Sequence, residues 1–201
     1  MKKFSFMVAI LFAFIFIGCG GGSSGTTTNA DTSTVIFEDA TVSGLNFDCD
    51  GKIGVSNSTG EIKFLTTCKN LQLKIGDIIL GSIATNAINT DKIIYPSDIL
   101  ALDRNNTSDN RLQNMLQLLQ SLDKDLNPEN GIEIASDKKD LINGNFDFRD
   151  KTQNFDEFSK NLTFKLIDKK SAVAHYEKTL RKNLSIDIDT VPPMVPEFNE
   201  E

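Results

Sequence analysis

The chain has 201 residues, of which 39% are hydrophobic and 24% charged, with 28 acidic against 21 Lys and Arg side chains and a formal net charge of −7. That length suits one domain, or one with a small appendage, and the apolar share is enough to build a real core. The acidic balance argues against nucleic acid as a partner, because affinity for it rests on Lys and Arg neutralising phosphates.

The amino end opens on Lys2 and Lys3, and from Phe4 to Ile17 every residue but Ser5 is apolar. A spanning helix needs roughly 20 apolar residues; this run is shorter and stops at glycines, so removal is expected rather than permanent spanning. The run ends in Phe16-Ile17-Gly18-Cys19, which resembles the lipobox of bacterial lipoproteins: an aliphatic residue, a small or aliphatic one, Gly or Ala, then Cys. Ile17, Gly18 and Cys19 fit that form, and Phe16 stands where Leu is commonest. The resemblance implies cleavage of residues 1–18 before Cys19 and attachment of lipid to its thiol. Gly20 follows the cysteine in place of the Asp that marks inner-membrane retention in many such proteins, which implies the outer membrane. Loss of residues 1–18 leaves 183 residues and removes two positive charges, moving the net charge to −9. No second apolar run is long enough to cross a membrane, and an acidic body is unattractive to anionic headgroups, so the membrane contact is expected through the lipid.

Residues 19–34 are the lipidated Cys and a linker of Gly, Ser and Thr with almost nothing to bury. As a flexible coil its root-mean-square reach is on the order of 20 Å. The two remaining cysteines, Cys49 and Cys68, form an even pair, expected as a disulfide in an oxidising compartment. Alternation puts Leu45, Phe47 and Cys49 on one strand face and Ile62, Phe64, Thr66 and Cys68 on another. A metal site is the rival use of these thiols, but it would have to recruit distant ligands.

From Val35 to Ile83 the apolar period is mostly two, through Val35/Phe37, Leu45/Phe47, Ile53/Val55, Ile62/Phe64 and Leu71/Leu73/Ile75. Gly76-Asp77 marks a two-residue hairpin turn and Asn57-Ser58-Thr59-Gly60 another turn. About six short antiparallel strands are expected over residues 35–85, as a small sandwich or a strongly twisted sheet. After residue 90 the period changes. Pro96-Ser97-Asp98 reads as a helix start with Ser97 or Asp98 as cap. The clearest helix covers 109–122, with Leu112, Met115, Leu116, Leu119 and Leu122 as its core stripe and Ser108 or Asp109 as cap. A further helix is expected over 171–184, capped by Ser171 and turned inward through Val173, Tyr176, Leu180 and Leu184. The stretch from Phe155 to Leu166 reads equally as helix or strand. Residues 187–201, acidic and holding three prolines, read as a disordered or loosely docked tail. The fold class is therefore α+β: one domain over 35–186, its antiparallel β part packed with helices from 90–185.

Gly44-Leu45-x-Phe47-x-Cys49, Gly60-x-x-x-Phe64, Ile75-Gly76-Asp77-Ile78-x-Leu80-Gly81 and Pro96-x-Asp98-Ile99 follow one another along this domain. Leu116-x-x-Leu119-Gln120-Ser121-Leu122-Asp123-x-Asp125, Pro128-x-Asn130-Gly131-Ile132 and Ala172-x-x-His175 come after them. The series resembles a recurring extracytoplasmic domain of proteobacterial lipoproteins and large surface proteins, across residues 40–182. Leu-Gln-Ser-Leu-Asp is the most specific stretch. The β half also looks like transthyretin-like modules found beside surface enzymes and adhesins. The resemblance implies surface display and carries no activity with it.

Only one segment has metal-ligand spacing. Asp123, Asp125, Asn127 and Glu129 offer oxygens at alternate positions directly after a helix, like the first half of an EF-hand loop, and would suit Ca2+. The pattern then departs: Pro128 occupies the usual Gly turn and Ile134 the twelfth position, so Glu133 or Asp98 would have to complete the shell. The other reading makes these side chains caps on a helix C-terminus, with Asn130-Gly131 turning the chain. His175, the single histidine, sits on an amphipathic helix where a packed, hydrogen-bonded role is the expectation. No Gly-x-Ser-x-Gly elbow, His-Glu-x-x-His or phosphate-binding glycine motif is present. The sequence thus points to a non-enzymatic, lipid-anchored envelope protein that binds or adheres to a protein or glycan partner. The alternative is a structural or assembly accessory of the envelope, stabilised by calcium.

Overall fold

A computed structural model describes residues 31–142 and 144–184. The expected leader, Cys19, most of the tether and the tail lie outside the described residues. Ten strands and five short or medium helices follow in chain order. Strands β1 (Thr32–Phe37), β2 (Val42–Ser43), β3 (Asn46–Cys49), β4 (Lys52–Val55), β5 (Glu61–Leu65), β6 (Asn70–Ile75) and β7 (Ile78–Ala84) make up the first half. Then come β8 (Ile93–Ile94), α1 (Pro96–Ile99), α2 (Asn110–Ser121), β9 (Ile132–Glu133) and α3 (Ser136–Lys139). The chain continues through β10 (Phe146–Asp147), α4 (Phe155–Ser159) and α5 (Lys169–Leu184). The α+β class read from the sequence is the class observed.

The strands form a five-stranded sheet in the order β10-β7-β6-β3-β4, a three-stranded sheet β5-β1-β8, and a β2-β9 pair. The antiparallel meander comes from the first half, as its period of two requires. Gly76-Asp77 makes the two-residue hairpin, with Ile75 paired to Ile78. The sheets also take in what the periodicity did not announce. β8, β9 and β10 come from the helical half, are two residues long, and pair in parallel with β1, β2 and β7 respectively. Two residues carry no readable alternation, and parallel partners bring no hairpin turn to mark them.

The inward residues of both sheets share one core with the helices, including Val35, Phe37, Ile62, Leu71, Leu73, Ile78 and Leu80, all at most 1% exposed. α2 buries Leu112, Met115, Leu116 and Leu119 as its stripe demanded, and Asp109 caps it by accepting the Arg111 and Leu112 N–H groups. α1 lies against β7 because Gly81 has no side chain there; a Cβ at that position would stand 2.4 Å from the Ile99 carbonyl oxygen. Phe146, Phe148, Phe155 and Phe158 form an aromatic nest within this core, with neighbouring ring centroids 4.9–6.0 Å apart. That nest resolves the ambiguous 155–166 stretch into the single turn of α4 and irregular chain.

Two caps differ from expectation. Tyr95 occupies the cap position of α1, and Asp98 reaches back to accept the Tyr95 N–H at 2.9 Å. Asp168, not Ser171, starts α5: its carboxylate accepts the Ser171 N–H at 2.8 Å and its carbonyl the Ala172 N–H at 3.0 Å. The inner face of α5 is Ala172, Tyr176, Thr179 and Leu180, with Val173 and Leu184 only partly covered. No helix among the described residues is long and apolar enough to cross a membrane.

Candidate functional site

Cys49 and Cys68 form the expected disulfide, with Cα atoms 5.7 Å apart and both residues buried. The alternation that paired them holds only on one side. Cys49 ends β3 in phase with Phe47, whereas β5 stops at Leu65 and Thr66 is exposed. Cys68 reaches the core through a turn in which its N–H bonds the Leu65 carbonyl at 2.9 Å.

The acidic loop after α2 is used as backbone support. Asp123 is 1% exposed; one carboxylate oxygen accepts the Asn127 N–H and the other the Glu133 N–H, both at 2.8 Å. Asp125 accepts the Asn127 N–H at 3.0 Å and the Asn130 amide at 2.9 Å. Burial raises the Asp123 pKa, while the Asn130 amide holds the neighbouring Asp125 carboxyl below the usual range. Asn127 contributes its backbone to this arrangement. Glu129 turns away onto α5, where Lys178 Nζ lies 2.5 Å from one oxygen and His175 Nδ1 3.4 Å from the other. That Lys178 contact, with His175 beside it, lowers the Glu129 pKa.

The residues proposed to complete a calcium shell are also elsewhere. Glu133 pairs with Lys124, and Asp98 lies in the Arg104 network, 2.9 Å from Nη2. The loop therefore brings Asp123 and Asp125 together and sends Glu129 to another partner. Among the described residues no group of three or more His, Cys, Asp or Glu is arranged to hold a metal ion. The carboxylates satisfy free backbone N–H groups of the loop itself rather than the last carbonyls of α2, so they support the loop and do not cap the helix. Asp123→Ala is expected to destabilise the fold by about 1–3 kcal/mol, because two backbone N–H groups lose their acceptor. Urea denaturation measures it, and an unchanged midpoint would refute the supporting role.

This loop lines a groove of about 640 Å³ together with Ser43, Asn57, Ser58, Asn130 and Glu133. Gly44 lets the walls close: its φ is +79°, and a Cβ there would come 2.5 Å from the Ile134 carbonyl oxygen. Hydroxyl, amide and carboxylate groups share the lining about equally with apolar atoms, so the groove offers hydrogen bonds beside apolar contact.

The Leu-Gln-Ser-Leu-Asp stretch proves to be a buried polar spine. Gln120, Ser121 and Asp123 are 1%, 2% and 1% exposed. Gln120 Nε2 donates to the Ala172 carbonyl and to the Asp39 carboxyl, each at 3.0 Å. Ser121 Oγ donates to the Gln117 carbonyl and accepts the Ile167 N–H. One turn of α2 thereby fixes the start of α5, the chain before it and the Glu38–Thr41 turn. Asp39, in that turn, is fully buried, and desolvation pushes its pKa well up. Sequence reasoning passed over it. Its signal was phase: Asp39 continues the inward series Val35, Phe37.

His175 Nδ1 faces Glu129, and no hydroxyl or thiol hydrogen-bonds to its ring among the described residues. Comparison with known protein families, with curated proteins and with solved structures finds no match to this chain.

Proposed function

We propose that this chain is a lipid-anchored envelope protein that binds a protein or glycan partner without catalysis of its own, through the groove over the acidic loop. One geometric relation supports the reading most. The described chain begins at one end of the β1–β5 ladder, where Thr32 pairs with Leu65. The groove lies at the other end, beyond Ile36 and Glu61, where the 57–60 turn and Thr41 meet the loop. A tether leading back to Cys19 thus leaves the body on the side away from the groove, which faces outward. His175 is engaged with Glu129, and among the described residues no hydroxyl or thiol hydrogen-bonds to its ring.

The test has two arms. Cys19→Ser is expected to abolish metabolic labelling by palmitate and to move the protein out of the membrane fraction; continued labelling and fractionation with membranes would end the anchor reading. Ser58→Tyr fills the groove without touching the core, and it is expected to lose the partner that the unaltered chain captures from envelope extract. Equal capture by both would place the interface elsewhere. A structural calcium ion would have to use Asp123 and Asp125; a melting temperature that rises with added calcium, and not in Asp125→Asn, is the result that would support it.

A further inference from the structure

β4 is the outermost strand of the five-stranded sheet, and its apolar side chains have no cover among the described residues: Ile53 is 84% exposed and Val55 53%. In the ladder Ile53 stands opposite Asp48 and Val55 opposite Asn46, whereas Gly54 lies under the Phe47 ring. The strand thus turns its aliphatic side chains outward. Beside it, between the open edges of the two sheets, runs a mainly apolar groove of about 400 Å³ lined by Thr32, Phe47, Lys52, Ile53, Lys63 and Phe64. A soluble body seldom leaves such a rim bare without a use for it.

The position of Thr32 in that lining identifies the occupant. Only twelve residues, Gly20 to Asp31, separate it from Cys19, and Ala30 is the sole one among them with an apolar side chain. The linker itself has nothing to fill the groove. Even a fully extended chain of this length reaches no more than about 45 Å, which keeps this face near whatever Cys19 is anchored in. We propose that the β4 rim, led by Ile53 and Val55, docks into the headgroup–acyl boundary of the bilayer, so that the body rests on the membrane with the groove over the acidic loop outward. The inference rests on the reading that Cys19 carries lipid.

The contact is apolar rather than electrostatic. Asp50 accepts the Lys69 and Asn70 N–H groups through both carboxylate oxygens, and Asp48 accepts the Gly51 N–H through one of its two. Lys52, Lys63 and Asp31 remain exposed around the rim. The lysines can lay their stems on the apolar surface and keep their ammonium groups in the headgroup layer. A second copy is the less suitable cover, since β4 is four residues long and carries Lys52, both features that discourage edge-to-edge pairing.

The chain has no tryptophan, so a single one reports its own surroundings. The described fold starts at Asp31, and a chain running from Cys19 to Glu201 keeps it whole. With Cys49 and Cys68 bonded, Cys19 is its one free thiol and couples to a maleimide-headgroup lipid in phosphatidylcholine vesicles, recreating the tether whether or not cells lipidate it. Ile53→Trp is expected to show blue-shifted emission on the vesicles and quenching by lipids brominated on the upper acyl chain, unaffected by salt. Ser58→Trp, in the groove over the acidic loop, shows neither. Adding Val55→Asp to Ile53→Trp lowers the docked fraction about tenfold relative to the undocked. Solvent-like emission at position 53 on coupled vesicles overturns the proposal. So does a shift that grows with protein density without bromolipid quenching, which assigns the rim to a second copy. Mass analysis of Cys19 in protein extracted from cells tests the anchor separately.

Discussion

Replacing both Cys49 and Cys68 by Ala is expected to lower stability by about 3 kcal/mol, the value for closing a loop of roughly this length. The two residues are 19 apart in sequence. For a domain of this size that corresponds to a fall in melting temperature of about 6–12 °C. The reason lies in what the bond joins. Cys49 ends β3, beside the edge strand β4 of the five-stranded sheet, and Cys68 lies between β5, an edge of the three-stranded sheet, and β6, the neighbour of β3. The bond therefore ties the end of β3 to the connection that carries the chain from one sheet to the other, near where Thr32 pairs with Leu65. Reduction of the unaltered protein by dithiothreitol should reproduce the loss. The double variant avoids leaving one buried thiol without its partner. A change below about 1 kcal/mol in either experiment would show that packing alone holds the sheets in register.

The second large effect concerns Asp39. Its carboxyl is fully buried, and its side-chain partner is the Gln120 amide. Desolvation raises its pKa in the folded state above the unfolded value, so between those values the folded chain holds a proton that the unfolded chain has lost. Its contribution is complete below the unfolded carboxylate pKa. As pH rises above about 4, that contribution falls, by at most about 1.4 kcal/mol per pH unit, until the folded pKa is reached. Asp39→Asn keeps an acceptor for Gln120 and cannot ionise. The variant is expected to be more stable than the parent at neutral pH and to lack this part of the slope. Asp123, also raised by burial, contributes in the same direction, whereas Asp91, Asp109 and Asp147, lowered in the folded state, act in the acid range. The informative quantity is therefore the difference between parent and variant from pH 4 to 8. A constant difference across that range would mean that Asp39 is charged in the fold.

What the sequence revealed and what it concealed divide along physical lines. The stripe Leu112–Met115–Leu116–Leu119 and the cap Asp109 were legible because helix period and cap chemistry are local. Gly76-Asp77 was legible because two residues between alternating runs leave one turn geometry. Cys68 was misplaced on a strand because alternation does not announce where it stops. The caps of α1 and α5 shifted because Asp98 and Asp168 act from positions that local preference does not distinguish from their neighbours. The loop after α2 has calcium spacing, and only the fold shows that Glu129 reaches Lys178 while Asp123 supports Glu133 ten residues away. Asp39 was readable in principle, as an acid in the inward phase of β1, but its partner Gln120 is 81 residues distant.

The three late strands give this architecture a particular order of completion. Ile36 awaits Ile93, Val42 awaits Ile132 and Ile78 awaits Phe146, so the β half exposes unmet strand edges until the last of these arrives. Non-local pairings of this kind are slow to form and open to wrong partners in the meantime. A chain cut between the halves would lack three of its edge strands along with its helices. The helical half thus completes all three sheets of the β half, each with a strand of two residues.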